Sequence, residues 1–148
     1  MTFLRKMFGK RESLDDITRI RTIIDKFIEA SFIPLGSFDR ENSAQGMTVL
    51  LYMFGAVDML CQVHNIEEKL SLSLYENLLK EELGEYNAKE AQVLLSVVIQ
   101  ASAASEGQQM MKEGAEALQA WLTGVDVAAP HRLTEILMDK MRRGLNDP

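Results

Sequence analysis

A chain of 148 residues, 47% hydrophobic and 26% charged, has the make-up of one globular domain that can bury a core without metal or disulfide support. Three prolines and nine glycines exclude a fibrous chain, and the single cysteine, Cys61, excludes an internal disulfide. The net charge is −6 but uneven: residues 1–26 balance at +3, residues 27–131 at −10 and residues 132–148 at +1. An acidic body repels phosphate backbones, so nucleic acid is not an expected partner. Early charges at Arg5 and Lys6 interrupt any apolar leader, and the longest apolar run, 47–63, is broken by Thr48, Asp58 and Gln62. The expected compartment is the reducing cytoplasm.

In chain order, residues 1–12 read as a basic and apolar arm, and 13–148 as a single helical domain. Ser13 with Asp16 resembles a capping box that opens a helix near Leu14. Ile17, Ile20, Ile24, Phe27 and Ile28 then recur at three- and four-residue steps, the stripe of a helix packed on a core. Pro34, Gly36 and Ser37 make 32–42 a loop. A second helix, 43–64, is apolar nearly all round. Met47, Leu50, Leu51 and Phe54 lie on one side, and Val49, Tyr52, Met53, Ala56, Leu60 and Val63 on the other. Such a helix is either central to its own domain or shared with a partner subunit.

The third helix, 67–83, turns Leu70, Leu74, Leu78 and Leu79 inward and stops at Gly84. Asn87 with Glu90 caps a fourth, 88–104, whose Val93, Leu94, Leu95, Val97, Val98 and Ile99 form another densely apolar body. Ser105 with Gln108 caps a fifth, which ends at Gly124 and carries Met110, Met111, Ala117, Leu118, Trp121 and Leu122 inward. Gly114, Ala115 and Ala117 on it, like Ala101, Ala103 and Ala104 before it, are small enough to let another helix come close. Pro130 opens a sixth that runs to about Arg143, with Leu133, Ile136, Leu137 and Met141 inward. The expected fold is all-α: a compact bundle of about six helices, mostly antiparallel neighbours, with 43–64 and 88–104 as its two central buried members.

Two features stand above this background. Asp58 interrupts an apolar stripe, and Gln62 lies one turn further on the same face. A buried carboxylate needs a partner. A structural pairing, with Arg19, Arg21 or a helix N-terminus, is weighed against a polar patch at a subunit interface or a ligand-binding acid. The candidate polar pair is Asp58 and Gln62, one hydrogen-bonded unit. The second feature is the arm, where Phe3, Leu4, Met7 and Phe8 interleave with Arg5 and Lys6. That is the composition of an interfacial membrane anchor, and equally of an arm that docks on the domain or on a second subunit.

Catalytic and metal chemistry find little support. Cys61 and His64 share a helix face, but no second Cys/His pair completes a zinc site. No nucleophile elbow or phosphate loop is present. Neither cofactor nor metal is expected. Nine methionines suit core filling, with Met138 and Met141 left for a groove or a dimer seam.

The stretch 47–95 resembles the helical modules of tellurite-resistance proteins. The likeness rests on Asp58 late in an apolar helix, a helix around Leu78, and Leu83-Gly84 before Glu90. Met59 stands where that family has the glycine of an Asp-Gly turn, so the resemblance carries no metal role here. The expected function is that of a non-enzymatic interaction or regulatory protein. It is expected to self-associate, a dimer first, and to bind another protein. The alternative is a small-molecule or lipid-binding helical domain, held at the inner membrane surface by its arm and with an apolar cavity near Asp58 and Trp121.

Overall fold

A computed structural model describes the backbone of residues 2–35, 43–81 and 88–146, and the side chains of 16–34, 45–81 and 89–143. Among the described residues six α-helices follow one another: α1 (Thr2–Phe32), α2 (Ser43–Val63), α3 (Glu68–Glu81), α4 (Ala88–Ser102), α5 (Ser105–Leu122) and α6 (Arg132–Asn146). No strand occurs among the described residues, and the expected all-α bundle is what forms.

Helix ends follow local chemistry in most places. α1 stops at Phe32 because Pro34 disfavours helical backbone at Ile33; a 3-10 turn, Ile33–Leu35, follows. After α2, Asn65 adopts a left-handed backbone (φ 56°). The Ile66 N–H then reaches back to the Cys61 carbonyl at 2.9 Å and the Asn65 N–H to that of Gln62 at 3.1 Å. This pair of bonds closes the orphan carbonyls of a helix end, with asparagine in the role usually taken by glycine. Gly124, at φ 72°, turns the chain after α5. Pro130 sits at the start of a 3-10 turn, Ala129–His131, that leads directly into α6.

Two expected caps do not form. Ser13 lies inside α1, which is one unbroken helix from Thr2. A Ser-x-x-Asp pattern caps only where the backbone leaves helical geometry, and no proline between 2 and 32 forces it to. The N-cap of α5 is Ala104, with no side-chain cap, and Ser105 is the first helical residue. Asn87 lies outside the described residues.

The core is built around α2. Residues 48–57 are buried without exception, and α2 touches each of the other five helices. Over that stretch its apolar circumference is therefore covered within a single chain, whereas Val63 at the helix end is 65% exposed. The densest packing is with α5. A Cβ on Gly55 would stand 2.0 Å from the Met111 carbonyl oxygen, and one on Gly114 would stand 1.9 Å from that of Tyr52. As numbering rises by three in α2 it falls by three in α5, so the two run antiparallel, backbone against backbone. Gly114, one of the small residues read from α5, thus makes the close approach expected of it.

α5, not α4, is the second central helix. Among the described residues of α4 only Ala91 and Val98 are fully covered, and Val93 (59% exposed), Val97 (40%) and Ile99 (42%) face solvent. Hydrophobicity alone ranks α4 above α5. The side of α2 that α4 would need is taken by the glycine-bearing face of α5, which comes closer than a β-branched face can. Leu70, Leu122 and Met141, read as inward, are also exposed, whereas Leu74, Leu78, Leu79, Leu118, Leu133, Ile136 and Leu137 are buried as read. Aromatic rings fill the rest: Phe27 stacks on Tyr52 (6.1 Å between centroids) and leans on Trp121 (5.7 Å), and Phe54 meets Tyr75 edge-on (4.9 Å).

Candidate functional site

Asp58 and Gln62 come together as expected. Gln62 Nε2 donates to Asp58 Oδ2 at 2.7 Å, one helical turn apart on α2. Asp58 is half-buried; burial pushes its carboxyl up, the Gln62 bond pulls it down, and the charge of Glu68 pushes it up again. The Arg21 pairing considered from the sequence is absent from this site. Its guanidinium bonds Asp25 at 2.9 Å within α1 and Glu81 at 2.8 Å on α3, tying those two helices. Cys61, beside this pair, is buried, and burial pushes its thiol up while a hydrogen bond with Ser71 lowers it. A thiol of that kind is a poor nucleophile. Among the described residues no three His, Cys, Asp or Glu side chains cluster to hold a metal ion.

The side chains of Phe3, Leu4, Arg5, Lys6, Met7 and Phe8 lie outside the described residues; the backbone there is the first part of α1. The segment Gln45–Val63 of α2 is long and apolar enough to cross a membrane by length and composition, and 67% of it is packed inside the bundle.

A groove of about 550 Å³ lies between α5 and α6, lined by Gln109 and Glu113 on one side and Arg132, Glu135, Lys140 and Arg143 on the other. Arg132 holds Glu113 through both arms of its guanidinium, Nε to Oε2 at 2.9 Å and Nη2 to Oε1 at 3.1 Å, and reaches Glu135 at 3.3 Å. The pairing keeps the Glu113 carboxyl below its ordinary range. Lys140 Nζ donates to Thr48 Oγ1 at 3.0 Å and so fastens α6 to α2. Beneath lies Tyr52, fully buried and without a hydrogen-bond partner for its hydroxyl; its phenol senses the charges of Arg132, Glu113 and Glu135, and burial pushes its pKa well up. Sequence reasoning missed this groove because Glu113 and Arg132 are 19 positions apart on different helices, a separation with no local signature. Neither Asp58 nor Trp121 lines this groove or its neighbour of about 290 Å³ around Met47, Leu51 and Gly107.

The third feature is the outer face of α4. From 91 to 105 the chain carries no charged residue, in a protein with 22 acidic and 16 basic side chains. Gln92, Val93, Ser96, Ile99, Gln100 and Ala103 all face solvent. At 3.6 residues per turn Gln92, Val93, Ile99 and Gln100 lie within about 60° of Ser96 around α4 and form one continuous strip, with the exposed Lys89 at its N-terminal end on the same side.

No protein-family model, curated protein or solved structure matches the chain. The likeness of 47–95 to tellurite-resistance modules therefore finds no second support.

Proposed function

We propose that this chain is a non-enzymatic interaction protein of the cytoplasm that works by docking protein surfaces, a second copy of itself first among them. The observation that carries the reading is the charge-free strip on α4. Most of the apolar surface of α2, residues 48–57 throughout, is covered by the chain itself. The strip on α4 is left over: Val93 and Ile99 beside Gln92, Ser96 and Gln100, with no charge between residues 91 and 105. Surfaces at the centre of protein interfaces are depleted in charge in this way, while ordinary solvent-facing helices carry Lys and Glu. Light scattering on the purified full chain, together with affinity capture from its own host, tests this. A concentration-dependent dimer, or one defined partner lost on Val93→Glu, supports it. A monomer that captures nothing at any concentration removes it.

The α5–α6 groove favours a second reading, a binding site for a small polar molecule. Its walls carry both signs of charge in fixed positions. A native mass spectrum of protein from its own host would reveal a retained ligand, and Arg132→Ala should release it.

A further inference from the structure

We propose that the α5–α6 groove and its smaller neighbour hold a free α-amino acid with an apolar side chain, its two charged groups set between Glu106 and Lys140. The proposal deepens the second reading above, that of the groove, and rests on it. The two grooves share a boundary: Glu106 and Met110 of α5 and Lys140 of α6 line both. Every other charged side chain of the larger groove answers an opposite charge. Arg132 holds Glu113 and Glu135, and Arg143 holds Asp139 at 3.2 Å. Glu106 and Lys140 break this pattern. Among the described residues neither takes part in an ion pair, with the other or with a third group, and Lys140 donates only to the Thr48 hydroxyl.

One cation and one anion therefore stand at the boundary with their charges unanswered. An ammonium has three N–H donors, so Lys140 keeps two for a carboxylate after Thr48 has taken one. Glu106 can accept from an ammonium in the same way. A molecule with both groups on neighbouring atoms satisfies both side chains at once, and a molecule with one group leaves the other side chain as it was. Such a zwitterion has no net charge, so a body at −6 does not repel it as it would an anion. The smaller groove selects the rest of the molecule. Apart from Glu106 and Lys140 it is lined without charge, and Met47, Leu51, Met110 and Ala101 give it an apolar surface. Two methionines let that surface adapt to a branched or thioether side chain. At about 290 Å³ it stands at the small end of ligand pockets, which suits one amino acid. Arg132, by tying α5 to α6 through Glu113, sets the spacing of Glu106 and Lys140 without touching the ligand.

The test is titration calorimetry on the full chain with leucine, leucinamide, N-acetylleucine and aspartate. Leucine should saturate one site. Leucinamide lacks the carboxylate, N-acetylleucine lacks the ammonium and aspartate carries a charged side chain, so each should bind at least about tenfold more weakly. Lys140→Gln should weaken leucine by about tenfold or more and leave leucinamide unchanged; Glu106→Gln should weaken leucine as much and leave N-acetylleucine unchanged. Lys140→Arg keeps the cation and should restore leucine binding to within about threefold, which separates the charge from the bond to Thr48. Leucinamide or N-acetylleucine binding as tightly as leucine assigns the site to the end of a peptide and overturns the proposal. So does a leucine affinity that neither Lys140→Gln nor Glu106→Gln moves. If leucine does not bind, but protein from its own host retains another molecule that Arg132→Ala releases, the proposal falls and the groove reading stands. A chain that neither binds leucine nor retains any molecule overturns both.

Discussion

Gly114 of α5 rests on the carbonyl of Tyr52 in α2, so close that a Cβ at 114 would stand 1.9 Å from the Tyr52 oxygen. One turn away the contact is reciprocated, with Gly55 of α2 against the backbone of Met111. The obstacles are carbonyls of two helices, which cannot swing aside as a side-chain tip can. This contact sets how near the two central helices stand and how tightly the rest of the core closes on them.

Gly114→Ala and Gly55→Ala should each destabilise the protein by about 2–3 kcal/mol, although alanine is the better helix former. For a domain of this size the melting temperature should fall by roughly 5–10 °C. Gly46→Ala is the control: nothing lies within 4 Å of a Cβ there, so it should gain up to about 1 kcal/mol. Urea denaturation of the three variants checks the set. Equal stabilities would mean that the α2–α5 approach is wider than described.

Two buried tyrosines should respond oppositely to loss of the hydroxyl. Tyr75 Oη donates to the Leu50 carbonyl at 2.6 Å, joining α3 to α2, so Tyr75→Phe should cost about 1 kcal/mol. The Tyr52 hydroxyl is buried without a partner, so Tyr52→Phe should be neutral or stabilise by about 1 kcal/mol. A loss at Tyr52 as large as that at Tyr75 would mean that the Tyr52 phenol is bonded after all.

Stability should depend on pH through Glu113 with a definite sign. Its carboxyl titrates below the ordinary 4.5 in the folded protein because Arg132 grips it. Such a group contributes stability that is present above its unfolded value and lost as pH falls through its folded value. Arg132 is 45% exposed, so solvent screening limits the contribution to the order of 1 kcal/mol. Glu113→Gln should flatten the acid limb of a stability-versus-pH curve. An unchanged limb would assign acid unfolding to other carboxylates.

Asp58 has the opposite sign. Burial raises its carboxyl above the ordinary 3.8, so its ionised form disfavours folding, and the stability it allows is lost as pH rises through the folded value. Asp58→Asn should leave the protein at least as stable at neutral pH and remove that slope. Gln62→Ala, which deletes only an exposed hydrogen bond, should cost about 0.5 kcal/mol. If Asp58→Asn is instead clearly destabilising at neutral pH, the carboxylate has a stronger partner than Gln62.

Local patterning decided much of this molecule. The 3.6-residue recurrence of Ile20, Ile24, Phe27 and Ile28, the apolar girth of 43–64 and the breaks at Pro34 and Gly124 are short-range facts, and the helices formed where they point. The Asp58–Gln62 bond was legible for the same reason, since four residues on a helix always bring two side chains together. What only the tertiary structure decided is which helices share the centre. Val93, Val97 and Ile99 are as apolar as anything in the core, yet they stay outside, because burial is a competition for one surface of α2 and the glycines of α5 admit the closer contact. The Glu113–Arg132 groove likewise exists only once α5 and α6 are laid side by side. Periodicity reports how much of a helix would rather leave water; shape, acting between segments far apart in the chain, selects the partner.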